Sequence, residues 1–296
     1  MKIKLPQKLV SSALLESARL RWFKFRKNLL SVVGLLIVIG VILIALLGPY
    51  IAPYPEHAGF YMNLQESSMP PSLEHLFGTD DFGRDILSRV IFGFQYSMLM
   101  AVVILLLVIP PGVVLGLIAG YYRETWVDQV VMRVSDIFIA VPPLVLALAI
   151  CSVLTPSVFN AMMAVSLMWW PWYSRLTYSV ASALKNEYFV QASETIGASS
   201  LHIIFREILP NCWGPLLTKI TLDVGWVILI GAALSFVGLG AQPPTADLGT
   251  MVAEGGKFMP ESWWISLFPA LAIATIILGF NLLGDGIRDM FTEEVR

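Results

Sequence analysis

Charge, cysteine and histidine are scarce in this sequence. Charged residues make up 14% of its 296 positions and hydrophobic ones 57%, against about a quarter and about half in an ordinary soluble domain. The mean hydropathy is +0.75. No single soluble core hides that much apolar surface, so most of the chain faces lipid. A soluble enzyme, a disordered scaffold and a disulfide-stapled secreted domain are thereby excluded. The two cysteines, Cys151 and Cys212, lie in or beside apolar segments without CxxC or Cys/His ligand spacing and read as inert packing residues. The three histidines, His57, His75 and His202, are scattered. A net charge of -2 leaves no basic footprint for nucleic acid. No GxxxxGK[ST] occurs, Gly256-Lys257 being followed by Phe258, so the chain has no P-loop to cradle nucleotide phosphates. HExxH, a Ser/His pair and facing aspartates near a membrane midplane are missing too, which argues against an intramembrane enzyme.

What is present is a series of charge-free stretches. A lone charge in hydrocarbon costs several kcal/mol, so such stretches mark membrane spans. The first is Leu29 to Ile51, too long for a signal-peptide core and read as a retained anchor. A second runs from about Met98 to Ala119. Asp136 to Arg175 is far too long for one helix, and Thr155-Pro156-Ser157 splits it into two spans joined by a tight turn. A fifth is expected from about Pro215 to Leu239 and a sixth from about Trp264 to Leu283.

Six spans put both termini on one side. With the N-terminus inside, 16 of the 19 basic residues fall in the tail, near 123–133, across 175–219 or at the C-terminus. Only Arg84, Arg89 and Lys257 remain outside. The positive-inside rule therefore places both termini in the cytoplasm. The outer face carries about Ala52 to Gln95 and about Gly240 to Trp263, where Glu56, Glu66, Glu74, Asp80, Asp81, Asp85, Asp247, Glu254 and Glu261 form an acidic surface able to steer a basic partner.

Within the spans, Gly112, Gly116 and Gly120 are four apart and allow another helix close approach, which reads as helix packing, with a substrate path as the lesser alternative. Pro110-Pro111, Pro142-Pro143 and Pro171 remove backbone donors and bend helices. Trp169, Trp170, Trp172 and Tyr173, ahead of Arg175, read as an interfacial aromatic belt. Asp136, Lys219 and Asp223 lie near the inner ends of spans, and Lys219 and Asp223, four apart, are placed to pair.

Between spans four and five the cytoplasmic loop reads as two short helices around a glycine. Phe189, Ala192 and Ile196 form one stripe, Gly197 permits a left-handed stop, and Ser199 or Ser200 caps a second helix. Leu201, Ile204, Phe205 and Ile208 form a second stripe closed by Pro210. Such a hairpin requires an apolar groove for its faces, on this chain or on a partner.

Gln191-Ala192-Ser193, Gly197 and Leu209-Pro210 resemble the "EAA" loop of bacterial ABC-importer permeases, with Gln191 for the Glu, Ser193 for the second Ala and Glu207 where the pattern has Ile. Three further blocks resemble the C-type permease subunit of the dipeptide, oligopeptide and nickel importer branch. They run from Phe77 through Gly78, Thr79, Asp80, Gly83, Arg84 and Asp85 to Arg89, from Leu234 to Thr245, and from Phe280 to Asp289.

The resemblance implies an all-α membrane protein with the type I importer permease fold and no catalytic activity of its own. Its divisions are a basic tail over 1–28, an anchor over 29–51, an extracytoplasmic segment over 52–95, a core over 96–285 with a coupling loop at about 178–211, and a tail over 286–296. The implied function is import of small peptides across the bacterial cytoplasmic membrane by alternating access, with nickel or another metal chelate or opine as the other cargo. A scaffold or receptor without transport would leave the hairpin unexplained. Implied partners are a paralogous permease subunit, two ATPase subunits that bind ATP and Mg2+, and an extracytoplasmic solute-binding protein; no cofactor is bound directly. ATPase coupling would fall to Tyr188, Gln191, Ala192, Ser193, Gly197, Ala198, Ser199, Leu209 and Pro210.

Overall fold

The computed structural model describes Glu16 and residues 19–291, so most of the expected tail over 1–28 lies outside the described residues. Asn28 starts the first long helix by accepting from the Leu30 N–H (3.1 Å), which satisfies one orphan donor of the first turn. That helix, α1 (Leu29–Ile51), has the bounds expected of the first span. It crosses the last helix so closely that a Cβ on Gly34 would lie 2.6 Å from Leu282 Cβ.

A segment of turns over 52–85 then leads to α2 (Ile86–Tyr121), a single helix of 36 residues with Pro110 and Pro111 inside it. At 1.5 Å per residue it is roughly 54 Å long, well beyond a hydrocarbon core of about 30 Å. The expected span over 98–119 lies within it, and the last residues of the expected outer segment, 86–95, are its first turns.

The third span departs from the sequence reading. In place of one helix from Asp136, α3 (Trp126–Ile139) and α4 (Pro143–Val153) meet at 84°. Pro142 is extended and Pro143 lacks an N–H, so the ladder cannot cross this point. Ser157 accepts from the Asn160 N–H (3.1 Å) to start α5 (Val158–Leu184) after the turn at Pro156. By length and apolarity four helices among the described residues can cross a membrane, or five if the bent pair is one span. The expected fourth span falls on α5, long enough at 27 residues but more polar, with Ser166, Ser174 and Thr177 buried against neighbouring helices.

The chain continues through α6 (Tyr188–Thr195) and α7, which runs from Ser200–His202 through a π-helical Ile203–Ile208 to Leu209–Asn211. The remaining helices are α8 (Trp213–Phe236), α9 (Leu248–Gly256) and α10 (Trp264–Phe291). Among the described residues no strand forms; an isolated bridge joins Thr79 and Asp85.

The core sits between α2 and α5, flanked by α8 and α10. The glycine stripe makes this packing. A Cβ on Gly112 would lie 2.6 Å from Trp170 O, one on Gly120 2.7 Å from Ala181 Cβ, and one on Gly116 would overlap Ser174 and Thr177. The stripe thus serves a contact within the chain. The aromatic cluster is also not a belt: Trp169 and Tyr173 are core residues, and Trp172 is the exposed member.

Candidate functional site

The residues singled out by sequence gather at the two ends of α2. At its N-terminal end Asp85 performs three tasks. Its Oδ2 accepts from the Ser88 N–H (2.7 Å) and caps α2, its Oδ1 lies 2.9 Å from His75 Nδ1, and its own N–H donates to His57 Nδ1 (2.8 Å). Asp80 closes the loop before it, Oδ1 accepting from the Phe82 and Arg84 N–H groups and Oδ2 from Arg84 Nε (2.7 Å). Arg89 Nε stands 3.5 Å from Asp80 Oδ2, and its Nη1 donates to His57 O and Pro244 O, joining the segment to the loop after α8.

Gly78 and Gly83 have φ of +76° and +75°, in the left-handed region. A Cβ on Gly78 would lie 2.6 Å from Met69 O, and one on Gly83 would overlap Asn63 O. Thr79 accepts from the Met69 N–H, donates to Glu66 O, and offers its own O to Trp264 Nε1 (3.2 Å). The block from Gly78 to Asp85 is therefore a knot that fastens the segment to α2 and α10. Asp80, Asp85 and Asp247 are buried in it or in helix caps, which removes them from the acidic surface read from sequence.

Burial pushes the His57 imidazole below its ordinary value, and the Asp85 N–H donating to Nδ1 fits the neutral ring. Burial raises the Asp81 and Glu254 carboxyls, with Arg84 and Arg89 pulling both back.

At the other end of α2 stands the α6–α7 hairpin. Gly197, at φ +82°, ends α6 in the left-handed conformation with its N–H on Glu194 O (3.0 Å), and the Ala198 N–H reaches Ser193 O (3.0 Å). This is the helix stop expected from the sequence. Ser199 Oγ then accepts from the His202 N–H (3.3 Å) and starts α7. Pro210 does not close α7 but lies inside its helical run, just after the π-helical turn where the hydrogen-bond register changes.

The two expected stripes are divided differently from the sequence reading. Val190, Ile203, Ile204 and Ile208 are buried, whereas Tyr188 (87% exposed), Ile196 (84%), Phe189, Leu201 and Phe205 form an open apolar crest. Ala192 and Gln191 lie on the exposed side, Gln191 Nε2 donating to Asn186 O; Ala198 and Leu209 pack partly on the core.

Two tethers hold the hairpin. Tyr121 Oη at the end of α2 donates to Glu194 Oε1 (2.9 Å), and Ser193 Oγ donates to Glu207 Oε1 (2.7 Å). Ser193 and Glu207, two of the departures from the EAA pattern, thus partner each other. Tyr121 and Glu194 carried no motif signal; only the fold brings them together. Inside the bundle, Asp223 is buried and accepts from Trp169 Nε1 (2.9 Å) and Lys219 Nζ (3.0 Å), the pairing expected from spacing. Asp136 pairs with Arg175 across the α3–α5 contact.

Residues 112–296 match the family described as binding-protein-dependent transport system inner membrane component. Residues 18–71 match the N-terminal TM domain of oligopeptide transport permease C. The chain is 40% identical over 281 residues to the dipeptide transport system permease protein DppC of Haemophilus influenzae, covering 93% of this chain and 94% of that one. It is 39% identical to the probable D,D-dipeptide transport system permease protein DdpC of Escherichia coli K12, over 92% of this chain and 90% of that one. The glutathione transport system permease protein GsiD of Escherichia coli strain 536 is also 39% identical, over 93% and 90%.

Proposed function

We propose, from the premise that this chain belongs to the family of binding-protein-dependent transport system inner membrane components, that it is the permease subunit through which an ATP-driven importer passes short peptides. As a permease subunit it is a multi-pass inner-membrane protein and not an enzyme; ATP is used on separate subunits. The peptide cargo is supported by the names of its relatives, which carry dipeptide, D,D-dipeptide and glutathione and do not favour nickel. Lys/Arg bias supports the hairpin and both termini on the cytoplasmic side, with 52–85 and 237–263 outside.

The observation that carries the coupling reading is the open crest of Tyr188, Phe189, Ile196 and Leu201 on a hairpin otherwise rooted in the core. An apolar crest of this kind fits a groove on a cytoplasmic ATPase subunit. Two ATPase subunits, a paralogous permease and a solute-binding protein on the outer knot complete the proposed assembly. Its cycle is alternating access: ATP-driven closure of the ATPases displaces the hairpins, and the Tyr121–Glu194 tether passes that displacement to α2.

Gly197→Val tests this. A β-branched residue at positive φ costs about 1–2 kcal/mol or more, and the site is open enough that no clash adds to it. The variant inserts normally and loses peptide uptake. Wild-type uptake would remove the coupling role.

A further inference from the structure

The crest and the knot leave the middle of the molecule unexplained. There α8 buries a charge within a span, Asp223 being 4% exposed. Desolvating an ion pair can cost as much as its attraction returns, and apolar replacements of similar volume are often tolerated at such sites. Lys219 and Asp223 line a cavity of about 570 Å³ between α5, α8 and α10, together with Thr218, Trp226 and, on the opposite wall, Arg288. Ligand cavities for small molecules commonly span about 300–1,000 Å³.

The face that carries them continues along the whole helix. Lys219, Leu222, Trp226, Leu229, Ala233 and Phe236 recur at helical spacing, and beyond Trp226 the same face lines a second cavity of about 380 Å³, apolar, against Leu144 and Ile273. Trp226, 54% exposed, stands between the two. A face turned to lipid has no use for a carboxylate and an ammonium in its hairpin-side half.

We propose that this face of α8 lines the peptide path, and that Lys219, Asp223 and Arg288 form a subsite for the termini of a zwitterionic short peptide. In the empty path Lys219 neutralises Asp223, which also accepts from Trp169 Nε1. An arriving peptide exchanges that pair: its ammonium meets Asp223 and its carboxylate meets Lys219 and Arg288. The Lys219 ammonium, 5.1 Å from the Tyr173 ring centroid, keeps an aromatic face beside it through the exchange. Trp226 separates this charged chamber from the apolar one. The inference rests on the importer reading, so its test measures the two apart.

The complete importer is reconstituted in vesicles with dialanine as cargo, and hydrolysis stimulated by the loaded binding protein is read beside peptide delivered per ATP. Wild type without stimulation would overturn the importer reading itself. Given normal stimulation, Lys219→Gln and Asp223→Asn keep it within about twofold and lower delivery per ATP by about tenfold. Unchanged delivery would overturn the subsite. Trp226→Cys leaves the ion pair in place and decides the matter even if those variants fail to assemble. A membrane-impermeant thiol reagent labels it, more slowly with excess dialanine. Labelling by lipid-soluble reagents alone would place the face in lipid and overturn the path.

Discussion

His57 shows how one residue sets the behaviour of the knot before α2. Its Nδ1 accepts from the Asp85 N–H, a contact that a proton on that nitrogen abolishes. Its ring is packed against Tyr61 and Tyr54, and its carbonyl holds Arg89. Because the folded value lies below the ordinary 6.5, the unfolded chain takes up the proton first as pH falls. The knot is therefore at full stability above about pH 6.5 and weakens as pH drops through the lowered folded value. The protection factor of the Asp85 amide, its exchange rate corrected for the intrinsic slowing of exchange in acid, should fall between neutral and mildly acid pH, and His57→Gln, an acceptor that does not titrate, should flatten that response. A protection factor indifferent to pH would separate His57 from the knot. Gly83→Ala adds both a strained φ and an overlap with Asn63 O, and should lower stability by about 1–3 kcal/mol in a thermal melt. An unchanged melt would show that the turn is not needed.

Among the elements, α2 does the most, since one helix connects the knot to the hairpin. Its seam with α5 depends on Gly112, Gly116 and Gly120, so Gly116→Leu must force the helices apart against Ser174 and Thr177. That variant should melt at lower temperature while still co-purifying with a separately tagged partner permease; loss of the partner at unchanged melting temperature would give the stripe an intersubunit role. Tyr121→Phe removes the hydroxyl that donates to Glu194 and keeps the ring. It should leave basal ATPase activity intact and reduce its stimulation by loaded binding protein severalfold, and full stimulation would show the tether to be idle.

Features decided by a local rule are legible in the sequence. The bounds of α1, the turn at Pro156, the left-handed Gly197 and the Lys219–Asp223 pair all follow from runs, caps or spacing within a few residues. Features that tertiary packing decides are not legible there. Trp169 and Tyr173 looked like a belt because aromatic composition cannot distinguish an interface from a core, and the buried Asp223 that receives Trp169 is 54 residues away. In the hairpin, period alone divides the stripes only in part: Ile204 and Ile208 of the second stripe are buried as expected, while Ile203 takes the place of Leu201 and Phe205, where the π-helical turn in α7 rotates the face relative to a regular helix. In α6 the buried residue is Val190 in place of Phe189, Ala192 and Ile196.

In the assembly proposed above, the whole molecule acts as a lever between two docking faces. The knot before α2 is held by ion pairs and an N-cap, the apolar crest of the hairpin is exposed, and α2 joins them. That proposal stands on engagement of the crest by an ATPase subunit. The most direct measurement is site-specific cross-linking in the assembled, active importer, with Ile196→Cys on the crest and a short thiol-reactive linker. The expected product contains one copy of this chain and one ATPase subunit, with a yield that changes when ATP binds. An importer that transports normally while Ile196→Cys forms no such product would contradict it.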